Sequence, residues 1–420
     1  MKEEYSKINL HVIDSDINSI LYNALTNTVL KIPLEFGERI KRYQNGEYDI
    51  EIEKILDTQF ENKLANINKH TNWYETKILD MLVINVTNNC NLRCKYCYAN
   101  YGKFNNKEEK LRNISNDTID SIFQYLIMHC AEEVHHVMFF GGEPLLGIDE
   151  IDYICSKFND LYKDNKLNGI PSFSFVTNLT IMNQHIKEIL DKYNISITVS
   201  IDGPSYIHDQ QRVDINNQGS FDRIKENYSI VKKHVIAIES TYTLNHIING
   251  MNVTELRKWL SMEFDISETR IDVVPVSGCK ELEVDAVKYN NELTDNLANM
   301  EDGFIFAAFD KNRQSDLFCN AGSNRICISI DGDIYPCQMY VNYPLAKLGN
   351  VKNDTNYQRQ LENIPYRNRN RDNCSKCWAR KFCKVCPAQA LTNDIFTNEK
   401  CNKRLTKYEH LLQQCVSSNK

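Results

Sequence analysis

Apolar residues recur along the chain in two spacings, and the switches between them lay out its elements. Short apolar runs at 8–13, 17–21 and 28–32 read as strands, the first two around a polar Asp14–Ser15–Asp16 turn. Pro33 opens a helix that runs to Tyr43 and stops at Asn45–Gly46, and a second helix is expected over about 49–60. Residues 61–78 are polar and read as a linker or bridging helix. From residue 79 onward strands and helices alternate. Strands are expected at 82–86, 137–140, 173–176, 195–201, 235–241 and 271–276. Helices are expected at 116–130, 151–162, 182–192, 220–233 and 251–262. Ile119, Ile122, Phe123, Leu126, Ile127 and Cys130 form one helical stripe, at i, i+3, i+4, i+7, i+8 and i+11. Six such units argue a parallel sheet with right-handed crossovers, fewer than the eight that close a full barrel.

Length and composition narrow the class. A chain of 420 residues suggests roughly three domains, and 42% hydrophobic residues suffice for real cores. A net charge of −7 argues against a nucleic-acid surface, which needs a basic face. The first residues lack the apolar core of a signal peptide, and no run of 18 apolar residues predicts a membrane span. A soluble cytoplasmic protein is expected. Its 15 cysteines then point to metal or catalysis, because disulfides are rare in that compartment. They are unevenly placed: Cys90, Cys94 and Cys97 sit together, and nine lie between Cys319 and Cys415.

The run from Cys90 to Cys97 reads Cys-Asn-Leu-Arg-Cys-Lys-Tyr-Cys. A loop this short wraps three thiolates around one metal centre but supplies no fourth ligand. Structural zinc usually takes four protein ligands, whereas a cubane iron–sulfur cluster with one open iron suits three. A zinc loop or free core thiols are the alternatives. The spacing, with aromatic Tyr96 before the third cysteine, resembles the CX3CX2C signature of the radical S-adenosylmethionine (radical SAM) enzymes. That resemblance implies an open (β/α)6 partial TIM barrel. It also implies a 4Fe–4S cluster on Cys90, Cys94 and Cys97, and SAM chelated at the open iron and cleaved to a 5′-deoxyadenosyl radical. A low-potential electron donor such as ferredoxin or flavodoxin is implied as a partner.

Further motifs follow successive strands, where barrels carry their sites. Gly141-Gly142-Glu143-Pro144 resembles the GGEP motif that meets the SAM ammonium, its glycines leaving backbone open to a ligand. Thr177 and Asn178 resemble the ribose-contacting region. Ser200-Ile201-Asp202-Gly203-Pro204 with Arg212 resembles the SIDGP…R element, and Arg212 suits a charge-assisted pair with the SAM carboxylate. A surface arginine is the plain alternative.

Toward the C-terminus, Cys319 and Cys337 flank Gly332, and Cys374, Cys377, Cys383, Cys386 and Cys401 follow. The set resembles the seven-cysteine SPASM pattern, departing from it in having two residues, not three, between Cys383 and Cys386. The resemblance implies two auxiliary 4Fe–4S clusters, three clusters in all. Cys374, Cys377, Cys383 and Cys401 would hold one, and Cys319, Cys337 and Cys386 the other, with Cys327 as candidate fourth ligand unless it faces the core. Two CX2C pairs also invite a pair of zinc sites. Cys130 and Cys155 fall on apolar helix stripes and read as buried thiols. Cys279 follows the sixth strand, where a loop thiol or a hydrogen-atom donor is expected, and Cys415 sits on a terminal helix.

The front of the chain, three strands then helices, resembles a winged-helix-like RiPP recognition element, a PqqD-like module. It implies that the strand at 28–32 pairs with a leader peptide; a generic α+β cap is the alternative. The expected division is 1–78 as the peptide-binding module and linker, 79–310 as the radical SAM core, and 311–420 as the SPASM domain. Together these resemble the sactipeptide and ranthipeptide maturases, which join a cysteine sulfur to carbon within a cysteine-rich precursor peptide. Formylglycine formation by an anaerobic sulfatase-maturase ranks lower, because Gln338 stands where that family has an acid after the cysteine. Carbon–carbon crosslinking, epimerisation and a non-enzymatic zinc-binding protein are the remaining readings.

Overall fold

The computed structural model describes residues 9–24, 28–61, 73–104, 110–129, 132–276, 279–284, 319, 321–353 and short pieces between 376 and 413. Its contacts gather the chain into two compact units. One comprises 1–70, 286–319 and 365–420; the other comprises 71–285 and 320–364.

The first unit is built on an antiparallel sheet of β1 (Leu10–Asp14), β2 (Asn18–Asn23) and β3 (Thr28–Pro33), in that order. Side chains alternate across a strand, so the sheet has two apolar faces. Leu10, Val12, Leu21 and Ile32 pack on helices α1 (Leu34–Gln44) and α2 (Ile50–Glu61) through Ile40, Tyr43 and Ile52. Ile13, Ile20, Tyr22, Ala24 and Val29 on the other face pack on Cys377, Trp378, Ala379, Leu405, Tyr408 and Leu412. His11 stacks on Trp378 with centroids 3.7 Å apart and planes 2° from parallel, and its Nε2 lies 2.8 Å from Glu409 Oε1. The front module and the C-terminal cysteine segment therefore share one core.

The second unit holds β4 (Met81–Thr87), β5 (His136–Gly141), β6 (Ser172–Thr177), β7 (Ser196–Ser200), β8 (Val235–Tyr242) and β9 (Ile271–Pro275). These six lie side by side in chain order and all run parallel, as the alternation predicts. Helices α3 (Asn116–Met128), α4 (Ile148–Lys163), α5 (Gln184–Tyr193), α6 (Ser205–Gln211), α7 (Phe221–Val231) and α8 (Val253–Phe264) lie between them. Their starts are signalled locally: Ser115 and Asn183 accept from the backbone of Thr118 and Ile186, and Asn252 forms a capping box with Glu255.

Leu82, Ile84, Val137, Phe139, Phe175, Ile197, Val199 and Ile238 are buried on the face opposite Val83, Asn85, Met138 and Ser200. Burying about eight such side chains contributes on the order of 2 kcal/mol each. The sheet continues beyond β4 into a strand whose pairing is not legible in the sequence. Strand β10 (Arg325–Ile328) pairs parallel with β4, placing Cys327 beside Val83, and β11 (Asp333–Tyr335) and β12 (Gly349–Asn350) add antiparallel. An ion pair of Arg112 with Asp331 and a hydrogen bond from the Asn342 amide to the Lys103 carbonyl (3.1 Å) fasten this extension to the loops after β4. Among the described residues no helix is long and apolar enough to cross a membrane.

Candidate active site at the mouth of the half-barrel

Strand β4 delivers the chain into the cysteine loop, whose base Asn88 closes. Its amide donates to the Lys110 carbonyl (2.8 Å) and accepts from the Arg112 N–H (2.7 Å). The far side is joined to the segment after α6: Arg93 N–H donates to Val213 and Lys95 N–H to Gln211, at 2.6 and 2.9 Å. Donors then converge on sulfur. The Leu92 N–H lies 3.5 Å from Cys90 Sγ, the Tyr101 N–H 3.2 Å from Cys97 Sγ, and the Asn178 amide 3.9 Å from Cys90 Sγ.

Burial pushes the Cys90 thiol up to about 12 and the Cys94 thiol up to about 11, with neighbouring Glu143 adding to the first and Arg212 opposing the second. The protein alone thus keeps these thiols neutral, and a bound cationic centre would reverse the preference. Among the described residues, no three His, Cys, Asp or Glu side chains converge on a single ion site. A cubane does not require that, because each of its thiolates binds a different iron. Half-buried thiols that receive N–H donors fit such a cluster.

The second loop lies directly along the first. A Cβ on Gly141 would stand 2.1 Å from the Thr87 carbonyl oxygen, and one on Gly142 would stand 2.2 Å from that of Asn89. Gly142 N–H donates to Thr87 O at 3.2 Å and Glu143 N–H to Asn89 O at 2.8 Å. The sequence suggested that these glycines clear space for a ligand; their side-chain positions are filled by the cysteine loop instead. Glu143 is 1% exposed, and three donors hold its carboxylate: Thr177 Oγ1 (2.7 Å), Leu145 N–H (3.1 Å) and Asn178 N–H (2.8 Å). Burial raises its pKa while these bonds oppose the rise. Buried Pro144 starts the short helical turn that follows. The Asn178 amide also donates to Asn91 Oδ1 at 3.0 Å, tying the third loop to the first.

The fourth loop supplies a buried polar network. Asp202 is fully buried; it accepts from the Tyr96 hydroxyl, from Gln211 Nε2 at 2.7 Å and from the Thr241 N–H at 3.0 Å. Burial alone would raise its pKa, but Arg212, His208 and these bonds outweigh it and hold the carboxyl low. Arg212 Nη1 donates to the Tyr96 hydroxyl at 2.7 Å and lies 3.8 Å from Asp202 Oδ1. Arg212 Nε is buried with no partner among the described residues. An orphan guanidinium donor beside Cys94 is what a carboxylate ligand would satisfy. Asp202 and Tyr96 thus position Arg212, and the Asp202 oxygens are already engaged by protein donors.

Sequence reasoning missed several members of this network. Gln211 bridges Asp202 to the Thr243 hydroxyl, which donates to Gln211 Oε1 at 2.6 Å. His208 accepts the Asp202 N–H at 3.2 Å and bonds Ser220 at 2.9 Å, and burial pushes it down to about 3. His246 Nε2 lies 2.6 Å from the Asp202 carbonyl. The stretch 205–212 is mostly polar and reads as surface in sequence, so His208 and Gln211 carried no signal there. Glu239 was also missed. It pairs in register with Ser200 and Asp272. Burial raises its pKa, with Asp272 and Asp202 adding and Arg212 opposing.

The remaining cysteines spread out. Cys327 is fully buried with Sγ 3.7 Å from Asn85 Oδ1, Cys337 and Cys279 are half-buried, and Cys279 Sγ lies 3.8 Å from the Lys95 carbonyl in the cysteine loop. Cys319 is exposed, and Cys377, Cys386 and Cys401 are half-buried. Cys155 is fully buried on α4, an ordinary core thiol. Cys374, Cys383, Cys130 and Cys415 lie outside the described residues.

A three-thiol loop at the C-terminal mouth of six parallel strands is the architecture of a radical SAM half-barrel. Residues 84–262 match the model of the Radical SAM superfamily, so this part of the chain is a radical SAM domain. That family's cofactors are SAM and a 4Fe–4S cluster. The chain is 26% identical over 283 residues to the cysteine-type anaerobic sulfatase-maturating enzyme of Clostridium novyi (strain NT), across 63% of this chain and 75% of that protein. Among solved structures it is similar to native anSMEcpe with bound AdoMet (18% identity, TM-score 0.62, 81% of this chain and 99% of that one). It is also similar to SuiB of Streptococcus suis bound to precursor peptide SuiA (17% identity, TM-score 0.52, 92% and 96%). At these identities the structural likeness shows the fold alone.

Proposed function

We propose that this chain is a radical SAM maturase that joins cysteine sulfur to carbon within a ribosomally made, cysteine-rich peptide. The observation that carries the peptide reading is the open edge of the front sheet. Among the described residues β3 pairs only with β2, and Leu30 on it is 51% exposed. Such an edge accepts an added strand. The C. novyi protein is named for maturing a sulfatase and the S. suis structure holds a precursor peptide, and both support a polypeptide substrate here.

Residues 1–78 act in this reading as the leader-docking module, 79–310 as the catalytic core and 311–420 as the auxiliary-cluster segment. Cys90, Cys94 and Cys97 hold the cluster, and Arg212 takes the SAM carboxylate. The Gly141–Pro144 loop meets the SAM amine through its backbone, and Thr177, Asn178 and Ser200 line the ribose side. When bound, cluster and SAM would supply the radical chemistry by which one hydrogen atom is removed from a substrate carbon. Closing the thioether then releases one proton from the substrate thiol and one electron. The proposed acceptor would be one of two auxiliary clusters, the first held by Cys374, Cys377, Cys383 and Cys401 and the second by Cys319, Cys337 and Cys386 with Cys327 as candidate fourth ligand. Remote leader contacts supply binding energy that positions the reacting carbon.

Formylglycine formation is the second reading, favoured by the similarity to the C. novyi protein. Against it stands Gln338, a neutral amide whose Oε1 is buried without a partner among the described residues and which cannot take a proton as an acid's conjugate base does. Mass spectrometry of a co-expressed cysteine-rich peptide separates the two. Each thioether lowers the mass by two hydrogens and removes one alkylatable thiol, whereas formylglycine gives an aldehyde that reacts with hydrazide. A modified peptide whose cysteines all still alkylate excludes thioether formation.

A further inference from the structure

The segment after Cys97 closes the outer side of the cysteine site and carries a cavity of its own. Asn100, Tyr101 and Phe104 hold φ of 45°, 59° and 51°, and Gly102 holds 102°. Left-handed backbone in side-chain-bearing residues is costly and persists where the surroundings enforce it. Here it aims the Tyr101 N–H at Cys97 Sγ, 3.2 Å away. The Tyr101 ring lies 4.9 Å from the Arg93 guanidinium, and Arg93 Nη1 donates to the carbonyls of Cys90 and Leu92 at 2.7 Å each. Arg93, Asn100, Tyr101, Lys103 and Leu111 together line a cavity of about 250 Å³.

Charge is concentrated here against the trend of the chain. The whole protein carries −7, yet the sequence from 90 to 112 contains Arg93, Lys95, Lys103, Lys107, Lys110 and Arg112 against Glu108 and Glu109, with Arg112 paired to Asp331. Leu111, 49% exposed, adds an apolar contact to the cavity wall beside Arg93 and Lys103.

We propose that this basic cavity is the docking surface for an acidic one-electron carrier protein. The proposal rests on the radical SAM reading of the cysteine loop, whose chemistry consumes one electron per SAM cleaved; the reduced carrier loses that electron and the cluster gains it. The cavity wall is bonded to two of the three ligand residues, through Tyr101 N–H to Cys97 sulfur and through Arg93 to the Cys90 carbonyl. An electron reaching Tyr101 is one hydrogen bond from a ligand sulfur. Positive potential speeds encounter with an acidic partner by about 10- to 1000-fold and does so less as salt rises.

The test uses the full-length, cluster-loaded protein with reduced flavodoxin as carrier, and the variants Lys103→Glu, Lys103→Arg and, as a distant control on α4, Lys163→Glu. Flavodoxin affinity is measured by titration, and 5′-deoxyadenosine formation is followed with flavodoxin or with dithionite. Lys103→Glu weakens flavodoxin binding at least about tenfold and slows the flavodoxin-driven reaction, while the dithionite-driven reaction stays at the parent rate. Lys103→Arg and Lys163→Glu match the parent in both. Unchanged flavodoxin affinity in Lys103→Glu overturns the proposal. So does an equal loss with dithionite, which would place Lys103 in the catalytic site. Slower peptide modification at equal 5′-deoxyadenosine formation would make the cavity a peptide-binding surface instead. If the parent cleaves no SAM with dithionite, the radical SAM reading itself fails, and the docking proposal falls with it.

Discussion

Gly142→Ala tests whether the second loop's glycines serve loop-to-loop packing. The added methyl would sit 2.2 Å from the Asn89 carbonyl oxygen, 1.2 Å short of the 3.4 Å at which ordinary contact begins. It would also lie 2.5 Å from the Asn89 carbonyl carbon and 2.9 Å from the Tyr101 oxygen, all backbone atoms. No flexible side chain can turn aside, so the loops must separate, at the upper end of the roughly 1–3 kcal/mol typical of overpacking. For a unit of this size that is a melting shift of roughly 5–10 °C. Separation also moves Asn89, next to Cys90, and Tyr101, whose N–H meets Cys97 sulfur. The expected result is a lower melting temperature together with reduced iron on the Cys90–Cys97 loop. Gly169→Ala is the internal control, since nothing lies within 4 Å of its added methyl; it should be neutral or stabilising by about 0.4–1 kcal/mol. A Gly142→Ala protein with parental melting temperature and iron but weakened SAM affinity would refute the packing argument and restore the ligand-clearance one.

Three further outcomes are expected. Replacing Cys90, Cys94 and Cys97 together by alanine should remove about four irons per chain and abolish 5′-deoxyadenosine release; parental release would exclude the site. Arg212→Gln should raise the KM for SAM more than about tenfold, because a charge-assisted pair is lost, with the far-ultraviolet circular dichroism signal retained; an unchanged KM would remove Arg212 from the SAM site. His208, held near 3 by burial against about 6.5 when unfolded, is neutral in the folded protein. Its contribution is therefore present above pH 6.5 and is lost as pH falls from there toward 3. That amounts to about 2 kcal/mol between about pH 7 and pH 5. Urea unfolding at both pH values should show this loss in the parent and a shallower one in His208→Gln; equal slopes would contradict it.

The parallel strands were legible because each is a compact apolar run followed by a helix with its own cap, as at Ser115 and Asn183. The cysteine loop was legible because its ligands are neighbours in sequence. What escaped notice is non-local. Arg325–Ile328 gives no hint that it pairs with Met81–Thr87, since the pairing is set by a free sheet edge more than two hundred residues away. The reason for Gly141 and Gly142 lies in carbonyls at 87 and 89, invisible to a local reading of glycine. Gln211, Thr243 and His246 look like surface residues until the fold gathers them around Asp202.

The shared core of the two chain ends bears on how the protein is made. Tyr22 and Ala24 leave the ribosome early, but Trp378 and Leu412, which cover them, come more than 350 residues later. At about 5–20 residues per second, one apolar face of the first sheet stays uncovered for roughly 20–70 s while the half-barrel is being synthesised beside it. Unfinished chains therefore carry an exposed sheet with open edges, the form most prone to self-association. A stop codon just before Trp378 should accordingly harm the first sheet, whose second apolar face Trp378, Tyr408 and Leu412 cover.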